Sequence, residues 1–193
     1  MKKTIVFLAA MIAALGSAQA QTDSPPSNPL HFVAGLGVSA GGEKLAHVRY
    51  TNGDTQTIRA GSGVYFTGGL DYRVAPEFSL QATANFHVDD THARNGSVRF
   101  QRFPFELMGY YHAGPQWRVG GGVRYVTNAK LTSSGAAGAG DYKFDNSTSA
   151  VVEVEYFWTT NFGMKVRYVN EPLKAYGQDV RGNHVGVSGN FYF

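Results

Sequence analysis

The sequence predicts an all-β protein, a closed antiparallel β-barrel of eight strands that spans a membrane. Apolar residues alternate with polar, charged or glycine residues through eight segments, and a period of two is typical of strands with two different faces. The links between these segments are alternately short and long, and aromatic residues cluster near both kinds of link. Short turns, long outer loops and two aromatic girdles are typical of transmembrane barrels.

The N-terminus has the form of a secretory leader. Lys2 and Lys3 give it a positive start, a mostly apolar stretch runs to Leu15, and a small-x-small pattern ends at Ala20. We therefore expect a signal peptide that is cleaved after Ala20. The apolar stretch is too short for a spanning helix, which needs about 20 residues.

Three regions follow from this interpretation. Residues 1–20 are the predicted signal peptide, residues 21–29 are a Pro- and Ser-rich flexible linker, and residues 30–193 are the barrel domain. The chain has 17 Lys and Arg against 14 Asp and Glu, and two of the lysines lie in the leader. This near balance argues against a nucleic-acid partner, which would require a clustered basic excess. The chain has no cysteine, so barrel closure and not disulfides must supply its stability.

The eight segments follow one another with one uncharged face each. Their apolar positions lie in residues 30–38, 64–74, 78–86, 103–111, 117–125, 150–158, 162–168 and 185–193. A soluble β-sandwich also alternates, so the alternation by itself does not distinguish a sandwich from a membrane barrel.

The links favour the membrane barrel. Three are tight, at residues 75–77, 112–116 and 159–161, and four are long, at residues 40–63, 88–97, 127–148 and 170–183. Six aromatic residues adjoin the tight turns and form the predicted inner girdle: Tyr72, Phe78, Tyr111, Trp117, Trp158 and Phe162. A sandwich has no reason to place both tryptophans beside tight turns on its apolar face.

The opposite face carries charges that a barrel would enclose. The predicted lumen set is Asp71, Arg73, Arg102, Glu106, Arg118, Arg124, Glu153, Glu155, Lys165 and Arg167. The tight turn at residues 159–161 places Glu155 opposite Lys165 and Glu153 opposite Arg167, and opposite charges across a ladder attract. We interpret the set as an ion-pair network that holds the barrel closed, because eight strands leave little free lumen. The alternative is a charged gate in a narrow pore.

Four histidines, His47, His87, His92 and His184, are expected near the outer rim. Asp89 and Asp90 lie close to His92, but a hydrated loop explains this cluster as well as a metal or acid–base site does. The ligand spacing of structural zinc sites is not present, so we predict no metal and no cofactor.

No convincing catalytic set is found, and we predict that the protein is not an enzyme. His184 and Ser188 share a face of the last strand, but four residues of strand separate them by about 13 Å. That distance is too long for a Ser–His hydrogen bond.

The first long connection contains a hairpin signal. Asn52-Gly53 predicts a two-residue turn, so that the flanking strands continue beyond the membrane as residues 47–50 and 55–59. Such a ribbon has exposed edges that can pair with another chain, which motivates a hypothesis of surface adhesion.

The pattern over residues 30–193 resembles the small eight-stranded outer-membrane barrels of the OmpA/OmpX type. Its most specific part is the C-terminal strand, which ends on Phe193 and carries Val185, Val187 and Phe191 on the same face. The resemblance implies that this ending is the signal read by the barrel-assembly machinery. It also implies export to the outer membrane of a Gram-negative bacterium, contact with periplasmic chaperones and lipopolysaccharide, and a monomeric state.

The leading functional hypothesis is a non-catalytic barrel with surface-exposed loops that supports envelope integrity or adhesion to an external ligand. The second hypothesis is a porin-like narrow pore or a channel for a small hydrophobic ligand. The third is an enzyme that modifies the acyl chains of lipid A.

Overall fold

The computed structural model of the protein describes residues 29–49, 55–93, 96–135 and 140–193. The strands in these ranges are β1 (Leu30–Gly41), β2 (Lys44–Arg49), β3 (Thr55–Arg59), β4 (Gly63–Ala75), β5 (Phe78–Ala93), β6 (Gly96–His112), β7 (Trp117–Gly135), β8 (Tyr142–Lys143), β9 (Ser147–Phe157), β10 (Phe162–Asn170), β11 (Pro172–Ala175), β12 (Gln178–Arg181) and β13 (His184–Tyr192). The predicted signal peptide and all of the predicted linker except Pro29 lie outside the described residues. No helix in the described ranges is long and apolar enough to cross a membrane.

Eight of these strands close into an antiparallel barrel. Their order is β6-β5-β4-β1-β13-β10-β9-β7, and the pairing of β6 with β7 closes the ring. The first and last strands are neighbours, paired from Val33–Tyr192 to Gly41–His184. The predicted fold class, a closed eight-stranded barrel with short turns at one end and long connections at the other, is confirmed.

The outer wall of the barrel is apolar. Phe32, Phe66 and Val152 each expose more than half of their surface, and the other positions of the predicted apolar faces point the same way. Exposed apolar surface on this scale is unfavourable in water. A lipid bilayer is the environment in which this wall is stable.

Two glycines let large side chains fit inside the barrel. A side chain at Gly37 would collide with the ring of Tyr65, and one at Gly120 would collide with the ring of Tyr110. Both tyrosines are buried in the lumen. Eight strands enclose a narrow interior, so an inward aromatic ring needs a glycine on a neighbouring strand.

The long connections contain more strand than the sequence predicts. The hairpin β5–β6 leaves residues 94 and 95 as its only link, and β7 runs 19 residues to Gly135. Two further hairpins, β2–β3 and β11–β12, form separate two-stranded sheets. The continuation of the chain as β2 and β3 agrees with the predicted ribbon.

The register of that ribbon differs from the predicted one. A two-residue turn at Asn52-Gly53 would pair Arg49 with Gln56, but Arg49 pairs with Thr55. The turn itself lies outside the described residues.

A bulge in the outer part of β7 changes which of its side chains point into the barrel. The ladder between β6 and β7 slips by one residue between Gln101 and Phe103, and Asn128 has a φ of 51°. Asparagine tolerates this left-handed conformation better than most residues. Beyond the slip, Ala129 and Leu131 point inward and are buried, because a bulge displaces every later side chain to the other face.

Candidate functional site

The lumen holds a balanced set of buried charges. Within the described ranges, five carboxylates face five cations, each residue exposing no more than 6% of its surface. The carboxylates belong to Asp71, Glu106, Glu153, Glu155 and Glu171, and the cations to Arg102, Arg118, Arg124, Lys165 and Arg167. Buried charges are tolerated only when they are paired, and this buried set of five carboxylates and five cations carries no formal net charge.

The layer nearest the outer end is organised by Glu171. Its carboxylate lies 2.9 Å from Arg102 Nη1 and 2.9 Å from Arg124 Nε. Arg124 also lies 2.7 Å from Glu106. The Arg102 guanidinium donates to the carbonyl of Ala60 as well, which joins this layer to the first outer connection.

The middle layer continues the same chain of pairs. Arg167 Nη2 lies 2.6 Å from Glu106 and 2.5 Å from Glu153. Glu153 in turn lies 3.1 Å from Lys165 and accepts a hydrogen bond from the Tyr110 hydroxyl. Each carboxylate in this layer therefore meets more than one donor.

The inner layer is centred on Arg118. Its guanidinium lies 2.7 Å from Asp71 and 2.7 Å from Glu155, and it donates to Tyr192 Oη at 2.5 Å. The same group lies over the ring of Tyr110, 4.0 Å from the centroid, which is within the range of a cation–π contact.

The structure brings together nine of the ten lumen residues chosen from the sequence. The pairs Glu155–Lys165 and Glu153–Arg167 are directly opposite in the ladder, as expected. Lys165 nevertheless lies closer to Glu153, since its distance to Glu155 is 3.9 Å. Glu155 is already paired with Arg118, at a distance of 2.7 Å.

Arg73 does not join the network. It has no carboxylate within ion-pair distance among the described residues, and its guanidinium lies 2.7 Å from the His112 ring nitrogens. Both residues border a cavity of about 480 Å³ at the turn end of the barrel. That mouth is open, and the charged layers form its floor.

The outer end of the lumen is covered by a second, apolar core, which we call the outer cap. All four long connections, counted together with the outer ends of the strands that they join, contribute side chains to it. Its buried members are Ala46, Ile58, Ala60, Val98, Phe100, Val126, Ala129, Leu131, Phe144 and Leu173. The cap therefore ties the connections to one another above the charged layers.

Backbone and side-chain bonds reinforce the outer cap. The Glu43 amide donates to the Arg181 carbonyl at 2.7 Å, and the Arg181 guanidinium donates to the Glu43 carboxylate at 2.9 Å. The Asp145 amide donates to the Lys174 carbonyl at 2.8 Å. These links join the hairpin β11–β12 to two other connections.

Two of the four histidines expected near the outer rim have side chains that point into the barrel. His87 and His184 are buried, with ring centroids 5.5 Å apart. The side chains of His47 and His92 lie outside the described residues. No group of three metal-ligating side chains occurs in the described part of the chain.

A Ser–His contact that the sequence did not indicate occurs at the same level. Ser39 Oγ lies 2.9 Å from His87 Nε2, while Arg102 donates to His87 Nδ1 at 2.9 Å. A guanidinium can only donate, so Nδ1 is the acceptor and Nε2 carries the proton. The Ser39 hydroxyl donates to the Gly61 carbonyl at 2.8 Å, so His87 is not placed to remove its proton.

The predicted girdle and C-terminal residues lie on the outer wall. Phe78 packs on Tyr111 with ring centroids 5.4 Å apart, and Phe162 packs on Phe191 at 4.8 Å. Val185, Val187 and Phe193 are exposed on or beside β13. These positions are compatible with a membrane belt and an assembly signal, and both roles remain predictions.

The comparison with solved structures shows the same fold in other proteins. Ail, the attachment invasion locus protein of Yersinia pestis, has a TM-score of 0.55 at 10% identity over 85% of this chain and 97% of Ail. Ail in complex with the heparin analogue sucrose octasulfate gives 0.52 at 11% identity over the same shares. OprG from Pseudomonas aeruginosa gives 0.49 at 13% identity over 88% of this chain and 98% of OprG.

No curated protein sequence matches the chain. A family model, however, matches residues 6–193, which is nearly the whole length. That model describes the outer membrane protein beta-barrel domain, in agreement with the closed barrel and its apolar wall. The chain belongs to this family and is a β-barrel of the outer membrane.

Proposed function

We propose that this protein is a non-catalytic, non-conducting barrel that presents a rigid head to the cell exterior for contact with an external ligand. The observation that carries the proposal is the outer cap, to which all four long connections contribute. Loops at the end of a barrel are usually mobile. A shared apolar core holds them in one arrangement instead, and a preorganised surface loses less entropy when it binds.

The buried, paired side chains in the lumen favour a structural role over transport. An ion entering from the open mouth meets the layer of Arg118, then the layer of Arg167, then that of Glu171, and finally the outer cap. Each layer consists of side chains that are almost fully buried and already paired. A pore would need a continuous hydrated path through these layers.

The proposal also disfavours an enzyme acting on lipid A. The Ser39–His87 pair is inside the barrel and its hydrogen bonds direct the histidine proton towards the serine. A lipid-modifying nucleophile needs access to the acyl chains on the outer wall and a base able to take its proton.

The likeness to Ail is consistent with this class of function. Ail is an attachment invasion locus protein and has been crystallised with a heparin analogue, so the same fold carries a surface role elsewhere. For this chain we further propose a monomer that reaches the outer membrane through periplasmic chaperones and the barrel-assembly machinery, with the residues of β13 as the recognised signal.

Single-channel recording of the refolded protein tests the proposal. We expect no discrete openings in a planar bilayer, while a heat-modifiable shift on a gel shows that the protein is folded. A general porin added to the same bilayer serves as the positive control. Reproducible openings of the folded protein would favour the pore and overturn the non-conducting role.

Binding is tested separately with immobilised heparin and with immobilised extracellular-matrix glycoproteins as probes. Proteoliposomes that carry the protein should bind at least one of these surfaces above empty liposomes. Leu173→Ala, which weakens the outer cap, should reduce that binding. Equal retention of loaded and empty liposomes on every surface would contradict the adhesive role.

A further inference from the structure

The mouth at the turn end of the barrel contains a cation that the lumen network leaves out. Arg73 lies on β4, lines this cavity and is half-buried. Asp71, two residues earlier on the same strand, already lies 2.7 Å from Arg118 and accepts a hydrogen bond from Gln81 at 2.9 Å. Within the described ranges no other carboxylate comes within ion-pair distance of Arg73. A partly desolvated cation is costly when it is unpaired, so the mouth favours an anion.

The Arg73 guanidinium keeps most of its donors free while it is held in place. Its Nη1 lies 2.7 Å from the His112 ring nitrogens, and His112 Nε2 lies 3.0 Å from Ser79 Oγ. Because a guanidinium can only donate, His112 Nδ1 is the acceptor and the ring proton is on Nε2, towards Ser79. The described residues accept no further hydrogen bond from this guanidinium. A planar fork of donors suits the two oxygens of a carboxylate.

The opposite wall of the mouth is aromatic. Phe157 and Tyr192 line the cavity, and their ring centroids are 5.4 Å apart at 52°. The Tyr192 hydroxyl is already engaged by Arg118, so this wall offers rings and not a polar group. Aromatic rings prefer offset or edge-on contact with another ring. A ligand with an anionic end and an aromatic body therefore matches both walls.

The size and the charge of the mouth limit the ligand further. Its volume of about 480 Å³ is typical of small-molecule sites, and it admits a small acid or the end of a peptide but no folded domain. The floor is the Asp71–Arg118 pair, which has no net charge, so Arg73 leaves the mouth one positive charge. A monoanion balances that charge, whereas a doubly charged phosphate would bring excess negative charge towards Asp71.

We propose that the mouth binds a small monocarboxylate with an aromatic body, which enters from the periplasm. The carboxylate accepts hydrogen bonds from the fork of Arg73, and the aromatic body packs against Phe157 and Tyr192. A free aromatic acid and the C-terminal residue of a peptide share this chemistry. The site lies at the end of the barrel opposite the outer cap, so the inference stands whether or not the head binds an external ligand.

Isothermal titration calorimetry of the refolded protein in a non-ionic detergent tests the proposal, with N-acetylphenylalanine and phenylpropanoate as probes. We compare the wild type with Arg73→Gln. The matched control is Arg99→Gln, which removes an exposed guanidinium at the other end of the barrel. We expect Arg73→Gln to lose about tenfold or more in affinity, because a hydrogen bond to a charged group contributes on that scale, while the control binds as the wild type does. Arg73→Lys keeps the charge without the fork and should bind with intermediate affinity.

Two analogues identify the chemistry of the ligand. N-acetylphenylalaninamide lacks the carboxylate, and phenyl phosphate carries a larger charge, so both should bind the wild type more weakly than the two acids do. Tighter binding of N-acetylphenylalanine would support the end of a peptide as the source of the carboxylate. Tighter binding of phenylpropanoate would support a free acid.

Equal affinities of Arg73→Gln and Arg99→Gln would overturn the site, as would the absence of saturable binding of either acid to the wild type. Asp23, the one acid of the predicted linker, provides a further check. Binding that appears only in Asp23→Asn would show that the linker occupies the mouth and would overturn a separate ligand. A heat-modifiable shift for every variant separates loss of binding from loss of folding.

Discussion

Arg118 shows how several contacts offset the cost of burying one cation in the lumen. It meets two carboxylates, Asp71 and Glu155, and two aromatic residues, Tyr110 and Tyr192. Removing a charge from water is costly, and only several good contacts at once offset that cost. The consequence is that the partners depend on one another, since the loss of one leaves the others buried and unpaired.

The first prediction concerns Glu153, which joins Arg167 to Lys165. Glu153→Ala leaves both cations buried with fewer partners, so we expect the free energy of unfolding to fall by about 3–5 kcal/mol. Urea unfolding in lipid vesicles, followed by tryptophan fluorescence, measures this change. The control is Lys174→Ala, which breaks the exposed pair with Asp179 and should cost about 1 kcal/mol or less. Similar losses in the two variants would contradict a stabilising lumen network.

The second prediction concerns the link between Glu43 and Arg181. The hydrogen bond from Arg181 lowers the pKa of Glu43 below its ordinary value. A lowered carboxyl pKa means that the link stabilises the head above the ordinary pKa and is lost as the pH falls through the lowered one. NMR titration of the Glu43 carboxyl should show this shift, and Arg181→Gln should raise the midpoint. Identical midpoints in both proteins would show that the link has no effect.

At this scale the sequence reveals charges on barrel strands but not those beyond them. The ten predicted lumen residues occupy the positions between the apolar residues of alternating strands, and that signal is direct. Glu171 gives no such signal, since it follows the end of β10 within a stretch that the sequence predicts as a loop. Arg73 has the correct parity but lies at the open mouth, where its ladder partner on β5 is Ser79.

At the scale of the strands, the apolar face changes sides at the membrane boundary. On β6, Phe103 and Phe105 point outward to lipid, whereas Val98 and Phe100 point inward to the outer cap. Outside the bilayer the wall faces water, so the inner side becomes the place for apolar residues. A prediction that keeps the apolar residues on one face of each strand therefore locates the barrel strands. It places their outer ends too close to the membrane, because the apolar face changes sides there.

The third prediction concerns the hairpin β11–β12 and its buried Leu173. Leu173→Ala leaves a cavity in the outer cap, and such changes cost about 2–5 kcal/mol. We expect faster hydrogen exchange of the amides in β2, β3, β11 and β12, while the amides of the barrel strands remain protected. Leu107→Ala, on the lipid-facing wall, is the control and should leave the head unchanged. Uniform exchange throughout the protein would argue against a separate cap.

At the scale of the whole molecule, the proposed non-conducting barrel has two seals in series. The charged layers fill the lumen, and the outer cap covers its end. The sequence predicts the first seal for two reasons. Eight strands leave little free space in the lumen, and the charged residues alternate with apolar ones, so that they face inward. It does not predict the second. The cap forms only when side chains from all four connections come into contact, and no local sequence pattern shows that they do.

The fourth prediction follows from this arrangement. Leu173→Asp places a charge in the outer cap and disrupts it. The double variant Glu106→Ala/Arg167→Ala removes both members of one ion pair, so that neither charge of the pair is left without the other. We expect neither change to produce conductance by itself, while the triple variant should show discrete openings in a planar bilayer. Openings in either parent variant would mean that a single barrier closes the barrel.

The shared cap also governs how the exposed surface can diversify. A bacterium that altered one hairpin to escape an antibody would have to keep the side chain that this hairpin places in the common core. We therefore expect variation at outward positions, and we expect epitopes that span several hairpins to persist together. A chimera that receives one hairpin from another barrel would lose part of the core, whereas a chimera that receives all four would keep it intact.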